Sequence, residues 1–452
     1  MVLKRFIGSF IDTPELGVVR VLHDYSLVID ESGFISSFSP KEQDSYLSGE
    51  VDTVTIPHGG FMLPSFCDLH LHAPQFLYQG TGLHLPLMEW LDQYAFKAEE
   101  RIDSDPVLAE KTYSSLAKRL KEHGTGAVLL FGTIKEETNI ILARVMQEAG
   151  IRAFIGKLSM DVSSRPTYKE PSAQEAIASA ISFNQKMQST FSHLSSSNLL
   201  VEPVLTPRFT PSCSDELLAG LGELSERENL RIQSHLAEAR DQVDWVHQER
   251  GIPDIDVFDK HHLLTPRTIQ AHCTFLTKPC FDRLHNIGTG IAHCPLSNSY
   301  FSSLPFPLRE ALSSGVRVGL GTDIAGGYSI DIMNTMRTAV VVSRIREGAR
   351  KESGQAQGES LSINWKEALY LATKGGATTL QLPRGTGTFE IGAPFDAQLI
   401  RLHENGLGIG PIDVFDELGE KPISEELLEK WWCIGDTRNR VGLWIQGKQC
   451  HP

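Results

Sequence analysis

The sequence predicts an α/β chain whose middle forms a parallel (β/α)8 barrel and whose two ends meet in a small β-sandwich domain. Three observations carry this. Apolar runs of four to eight residues alternate with longer helical segments, and eight such runs can be counted. Histidines and an aspartate recur at or just after the ends of these runs: His70, His72, His235, His272 and Asp323. Before and after this stretch the texture changes to short alternating runs broken by turn residues. The division read from these changes is 1–60 and 383–452 for the small domain and 61–382 for the barrel. A doubly wound open sheet has the same local texture and stays open as the alternative.

The small domain begins with Val18–Leu22 and Tyr25–Asp30, then the turn Glu31-Ser32-Gly33, Phe34-Ile35 and Val54–Ile56. These strands are too few to fold alone. The barrel begins at the apolar Gly60–Pro64, which leads into Phe66–Gln75. Further runs are Ala127–Phe131, Arg152–Gly156, Leu199–Val204, Leu230–His235, Thr268–His272, Gly290–Cys294 and Val316–Asp323. Helical stretches between them include Leu108–His123, Glu136–Ala149 and Ser214–Glu228. Ile332–Gly348 and Ile363–Leu380 read as helices, and Lys351–Ser360 as an exposed loop. Short strands return at Gly387–Gly392, Phe395–Ile400 and Val441–Lys448.

Composition narrows the partners. A chain of 452 residues with 41% apolar and 22% charged residues is globular and buries a large core. Its net charge of −14 repels nucleic acid and anionic membranes, so neither is expected as a partner. Lys118-Arg119-Leu120-Lys121 reads as a solvated helix face. Seven scattered cysteines without a CxxC argue for reduced thiols. Met1–Gly8 lacks the long apolar run of a secretory signal, and no stretch approaches the ~20 apolar residues of a membrane span. A cytoplasmic location is the resulting expectation.

The polar run ends carry the chemistry. Strand side chains alternate faces, so His70 and His72 point the same way. Pro74 then stops the ladder. In a barrel all strand C-termini share one face, where active sites are built. Imidazoles and a carboxylate gathered there suit zinc or iron. Glu238, three residues after His235, reaches over such a site and can shuttle protons; it also reads as an acidic residue near a helix N-terminus. His293 and His84 stay unassigned pocket candidates. His123, His261 and His262 read as surface or helix-end residues, and Cys67, Cys273 and Cys294 as small buried hydrophobes. His247-Gln248-Glu249 spells H-x-E, but no P-C-x-x-C follows, so it reads as an exposed helix.

His70-Leu71-His72, a histidine ending the fifth strand, another ending the sixth and Asp323 ending the eighth resemble the metal pattern of the amidohydrolase superfamily. Gly319–Asp323, Ala368–Thr373 and Gly387–Ile400 extend the resemblance over nearly the whole chain. Other stretches look closer still to the eukaryotic-type guanine deaminases: His72–Phe76, Leu85–Leu91, Thr206–Phe209, Gln233–Glu238, Ile291–Pro295 and Gly321–Ser329.

The resemblance implies hydrolysis of guanine to xanthine and ammonia. It implies one zinc per chain on His70, His72, His235 and Asp323, with Glu238, His272 and Asp323 catalytic. It implies Gln75, Arg208 and Phe209 as the residues that recognise the base, and a homodimer. Two-metal members use a lysine of the fourth strand; that stretch has none here, and Lys157 belongs to the third strand's exit. Another amino-substituted ring, or a scaffold without catalysis, are the alternatives.

Overall fold

In the computed structural model, which describes residues 4–44, 51–354, 357–405, 407–412 and 422–451, eight parallel strands form the barrel. They are Phe66–His72, Thr125–Phe131, Arg152–Ser159, Val201–Pro207, Arg231–Leu236, Thr268–His272, Gly290–His293 and Val318–Leu320. They are hydrogen-bonded in that order. Every residue of the first three is buried. Strands covered on both faces need near-continuous apolar runs, which is why the sequence shows runs and not alternation here.

The seam between the last and first strands is closed by three contacts. Asp323 N donates to His70 O (2.8 Å) and His72 N donates to Ile324 O (2.9 Å). The buried Asp68 carboxylate accepts from Thr322 N at 3.0 Å and from the Thr322 hydroxyl. Leu69, Leu129, Phe154, Val204 and Ile269 fill the lower interior, and Ala377 and Leu380 pack beneath them.

Local signals set the helices. The Asp105 carboxylate caps Pro106–Glu122 by accepting from Val107 N and Leu108 N. Gly150, at φ 75°, ends Glu136–Ala149 in the left-handed conformation that glycine takes without a Cβ clash. The segment expected as one helix over Ile363–Leu380 is two, Trp365–Ala372 and Lys374–Thr379, broken at Thr373. Ile332–Glu352 runs slightly past its expected end. Of the loop expected at Lys351–Ser360, residues 355 and 356 lie outside the described residues.

The chain ends build one eight-stranded sheet. Its path runs Lys448–His451, Arg440–Ile445, Ala397–Arg401, Gly60–Pro64, Lys4–Asp12, Arg20–Ile29 and Ile35–Pro40, and Asp52–Thr55 also pairs with Lys4–Asp12. Four details differ from the sequence reading. Gly60–Pro64, expected to open the barrel, pairs antiparallel with Ala397–Arg401 instead. It is fully buried, so its apolar content suits either sheet, and Ser65 is the joint between them. Lys4–Asp12 is a strand that the sequence did not announce, because an irregularity between Gly8 and Phe10 breaks its alternation. Val18–Leu22 and Tyr25–Asp30 largely merge into one strand, and Gly387–Gly392 forms none.

A polar knot fastens this sheet to the barrel. Arg152, on the third barrel strand, donates through Nε and Nη2 to the Asp396 carboxylate (2.5 and 3.1 Å). It also donates to Gln446 Oε1, while Gln446 N donates to Asp396 Oδ1 at 2.7 Å. The Arg152 and Asp396 side chains are 10% and 3% exposed. Removing one partner of a buried pair strands the other charge, so Asp396→Ala is expected to cost about 3–5 kcal/mol. Lys278→Ala, which removes an exposed pair with Asp282, is expected to cost less than ~1 kcal/mol. Urea midpoints of the two variants against the parent check the contrast.

Candidate active site

The first strand carries a register shift between Asp68 and Leu71 relative to the second. Cys67 and Leu69 belong to the barrel's interior cluster, whereas Leu71 packs with the surrounding helices. The extra residue lets Leu69 and then His70 both face inward, and alternation from there puts His72 inside as well. The two rings stand 5.1 Å apart, nearly perpendicular, with Phe131 against both.

Four imidazoles and one carboxylate converge at the C-terminal ends of the strands. His70 Nε2 lies 3.1 Å from Asp323 Oδ1, and His72 Nε2 lies 3.6 Å from the same oxygen. His72 Nε2 and His235 Nε2 are 3.0 Å apart. His272 Nε2 is 3.9 Å from Asp323 Oδ2 and 3.5 Å from Glu238 Oε1. All six residues are buried.

The outer ring nitrogens settle which inner ones carry lone pairs. His235 Nδ1–H donates to Arg208 O at 2.5 Å, and His272 Nδ1–H donates to Asn298 Oδ1 at 2.9 Å. Both leave Nε2 facing the centre as an acceptor. Among the described residues His272 Nε2 is buried without a hydrogen-bond partner. Ring nitrogens converging on one point, beside a carboxylate, are the donor set that a divalent metal satisfies. His70, His72 and His235 lie close enough for their nitrogens to share one ion. The residues therefore fit the metal implied by the sequence.

Electrostatics keep this set ready for a cation. Burial, then the neighbouring imidazoles, push His72 and His235 well below the ordinary histidine range. Burial lowers His272 to about 4. Burial alone would raise the Asp323 carboxyl, but His70 and His272 beside it hold it low and charged. Glu238 goes the other way: burial first, then the charge of Asp323, push it well above the usual carboxylate range. Two carboxyls in one pocket are thus split into a base-like and an acid-like member.

The loop carrying Glu238 is fixed from several sides. Ala237 N donates to Asp254 Oδ2 (3.0 Å), Glu238 N to Gln242 Oε1 (2.9 Å), and the Ser302 hydroxyl to Glu238 O (2.6 Å). Ala237, His272 and Asp323 adopt positive φ of 47°, 68° and 50°. Left-handed backbone at non-glycine residues is uncommon, and here it turns strand ends into the site. Gly326 closes the Asp323 loop; a Cβ there would lie 2.8 Å from Asp323 Oδ2.

A cavity opens beside the cluster. Gln75, Arg208, Phe209 and Glu238 line it, under Leu87, Trp90 and Phe301. Arg208 directly follows the fourth strand and is 1% exposed. Its Nη1 donates to Glu99 Oε2 (2.6 Å), and its Nη2 has no partner among the described residues. Gln75, in the turn Ala73–Tyr78, donates through Nε2 to Glu99 Oε1 (2.9 Å) and accepts from Ala325 N (3.1 Å). Phe209 forms an isolated bridge to His235, with the rings 6.4 Å apart, edge to face.

The structure thus brings together every residue singled out for the site. The unassigned histidines separate. His293 is buried against Phe306, with Nδ1 unpartnered, and burial lowers it to about 3; His84 is exposed. His261, expected at the surface, is buried at the end of Asp254–Lys260; His123 is half-buried, 3.4 Å from Asp331. Cys67, Cys273 and Cys294 are buried thiols whose ionisation burial suppresses. His247 and Glu249 lie on an exposed helix face. Lys157 is buried within the third strand and bonded to Glu170 at 2.7 Å. Sequence reasoning missed Asp68, Glu99 and Asn298. Asp68 had a signal in its place one turn of strand before His70; Glu99 sits in a run of charges that looks like a solvated helix.

Comparison with known proteins gives the family. A profile of the Amidohydrolase family matches residues 61–450. Guanine deaminase of Rattus norvegicus is 35% identical, covering 99% of this chain and 96% of that one. Guanine deaminase of Dictyostelium discoideum is 34% identical, covering 99% and 98%. The crystal structure of guanine deaminase from C. acetobutylicum, with guanine bound in its active site, superposes with a TM-score of 0.85 at 30% identity, covering 99% of each chain.

The buried His72, His235, His272 and His293 give a pH prediction for metal-free protein. Their folded pKa values lie below the unfolded value of ~6.5, so only the unfolded chain gains protons as the pH falls below that value. Their stabilisation is full above pH ~6.5 and is lost on acidification, down to about 4 for His272 and about 3 for His293. The slope is up to about 1.4 kcal/mol per pH unit for each histidine. Thermal unfolding of chelator-treated protein from pH 8 to 5 should show a falling midpoint, and His293→Asn should shallow the fall.

Proposed function

The chain belongs to the amidohydrolase family, and from that premise we propose that it hydrolyses guanine to xanthine and ammonia. The carrying observation is the coincidence of an acid-shifted Glu238, a converging imidazole–carboxylate set and an unpartnered arginine nitrogen around one cavity. The guanine deaminases of rat and Dictyostelium, similar over nearly their whole length, support the substrate. So does the guanine-bound structure of similar fold.

His70, His72, His235 and Asp323 would hold one zinc. Zinc held there supplies Lewis acidity that lowers the pKa of a water from ~15.7 to ~7. His272 and Asp323 lie where they orient that water, since His272 is held by Asn298 and its Nε2 points inward. Glu238, with its carboxyl oxygen 3.5 Å from His272 Nε2, takes the proton of the water and returns it to a ring nitrogen. A second transfer through Glu238 moves the proton left on the oxygen added to the ring carbon to the exocyclic amine, which leaves as ammonia as its C–N bond breaks and the C=O bond forms. The pKa of Glu238, pushed up by burial and by the charge of Asp323, favours the protonated form that hands a proton on.

Arg208, which lines the cavity and has a buried Nη2 without a partner among the described residues, would donate to the base's oxygen, and the Phe209 ring would stack on the base. Gln75 supplies its remaining amide capacity to the polar edge. The occupied Lys157 and the lysine-free fourth strand favour one metal over two. All seven cysteines are free, in keeping with the cytoplasmic location read from the sequence; the homodimer follows from the family likeness.

Ammonia release from guanine by the purified protein, with metal content measured on the same sample, tests the reading. Turnover with about one zinc per chain is the expected outcome. Turnover on another amino-substituted ring but not on guanine would replace the substrate and leave the chemistry. Glu238→Gln should keep its metal and lose turnover by about 10²–10⁴-fold; near-parental turnover would remove Glu238 from the mechanism.

A further inference from the structure

Glu99 stands behind the proposed recognition residues. It lies on the helix Phe96–Ser104, in the long connection after the first barrel strand, and its side chain is completely buried. Its two carboxylate oxygens have different tasks. Oε2 accepts from Arg208 Nη1 at 2.6 Å, and Oε1 accepts from Gln75 Nε2 at 2.9 Å. One turn before it on the same helix face, Phe96 places its ring under the Arg208 guanidinium, 4.9 Å from Cζ to the centroid. One short helix therefore holds Arg208 by its edge and by its plane.

We propose that Glu99 is a positioning residue that sets substrate specificity by fixing the donor pattern of Arg208 and Gln75; this rests on the reading of the site as a guanine site. Three features carry it. First, Arg208 lines the cavity, spends Nη1 on Glu99 and keeps Nη2 buried and without a partner among the described residues, so the pairing selects which nitrogen is left for a ligand. Second, Gln75 is pinned at both ends. Its NH2 meets Glu99 and its oxygen meets Ala325 N, so the amide has one permitted orientation. Third, Ala325 is two residues beyond Asp323, so the same network ties the base-recognition residues to the loop of the proposed metal ligand.

The chemistry asks for a carboxylate at position 99. Arg208 and Gln75 both present N–H donors to it, and only a carboxylate offers an acceptor to each. A glutamine there has one acceptor oxygen, and its NH2 would confront a donor. Arg208 or Gln75 would then lose its anchor and turn away from the base. An aspartate keeps both acceptors on a shorter stem and should restore part of the effect.

Glu99→Gln, Glu99→Asp and the parent should be compared on guanine and on 2-aminopurine, which lacks the 6-oxo oxygen, with zinc content measured for each. For Glu99→Gln the expected result is a rise in KM for guanine of at least tenfold with kcat within about threefold. Its kcat/KM on 2-aminopurine should stay close to the parent's, metal content should be unchanged, and Glu99→Asp should lie between. Unchanged guanine KM in a folded, metallated Glu99→Gln overturns the proposal. An equal loss on both substrates, or a loss that tracks metal, also overturns it, because it marks a structural role. If the parent itself does not deaminate guanine, the substrate reading fails instead, and the two failures are told apart by that control. Should Glu99→Gln fold poorly, Phe96→Leu supplies the second test: it removes the ring beneath Arg208, keeps the carboxylate, and should raise guanine KM in the same selective way.

Discussion

A closed parallel barrel has no free edge, and the seam that closes this one is where the site is made. The first and last strands are separated by some of the longest sequence distances in the fold, and their backbones meet through His70, His72, Asp323 and Ile324. Asp68, buried and bonded to Thr322, holds the same two strands together by side chain. Had the sheet stayed open, His70 and Asp323 would lie on opposite edges. Closure brings the His70 imidazole and the Asp323 carboxylate to 3.1 Å.

Burial then does two opposite things to the groups gathered there. Imidazoles removed from water lose their charged form and keep lone pairs free for a cation. A carboxyl removed from water tends to protonate, unless a partner holds its charge. Asp323 has such partners in His70 and His272; Glu238 has chiefly a second carboxylate for a neighbour. One pocket therefore pushes two neighbouring carboxyls in opposite directions.

The side of the cavity proposed to recognise the base draws on elements outside the barrel strands. Glu99 and Phe96 come from a helix inserted after the first strand, Gln75 from the turn before it, and Arg208 from the end of the fourth strand. Loops that vary in a common scaffold are where substrate choice is set, whereas the strand ends keep the chemistry common. The Arg208–Glu99 pair is buried, and such pairs are weak contributors to stability; it occupies Nη1 and leaves Nη2 without a partner among the described residues.

Sequence by itself determined the barrel's strands and the type of residue at their ends. Strands buried on both faces leave uninterrupted apolar runs, and a polar residue at the end of such a run is conspicuous against them. That is why His235, His272 and Asp323 could be read one by one, and why His70 and His72 were assigned a common side. Tertiary structure decided what no local pattern encodes. Gly60–Pro64 belongs to the other sheet because a buried apolar strand carries no mark of which sheet it joins. The bulge beside His70 depends on the register of the neighbouring strand. Glu99 looks like any charged helix residue until folding buries it between two donors from distant parts of the chain. Spacing along a chain records what one strand or helix needs for itself; which charges face each other is fixed only when the seam closes.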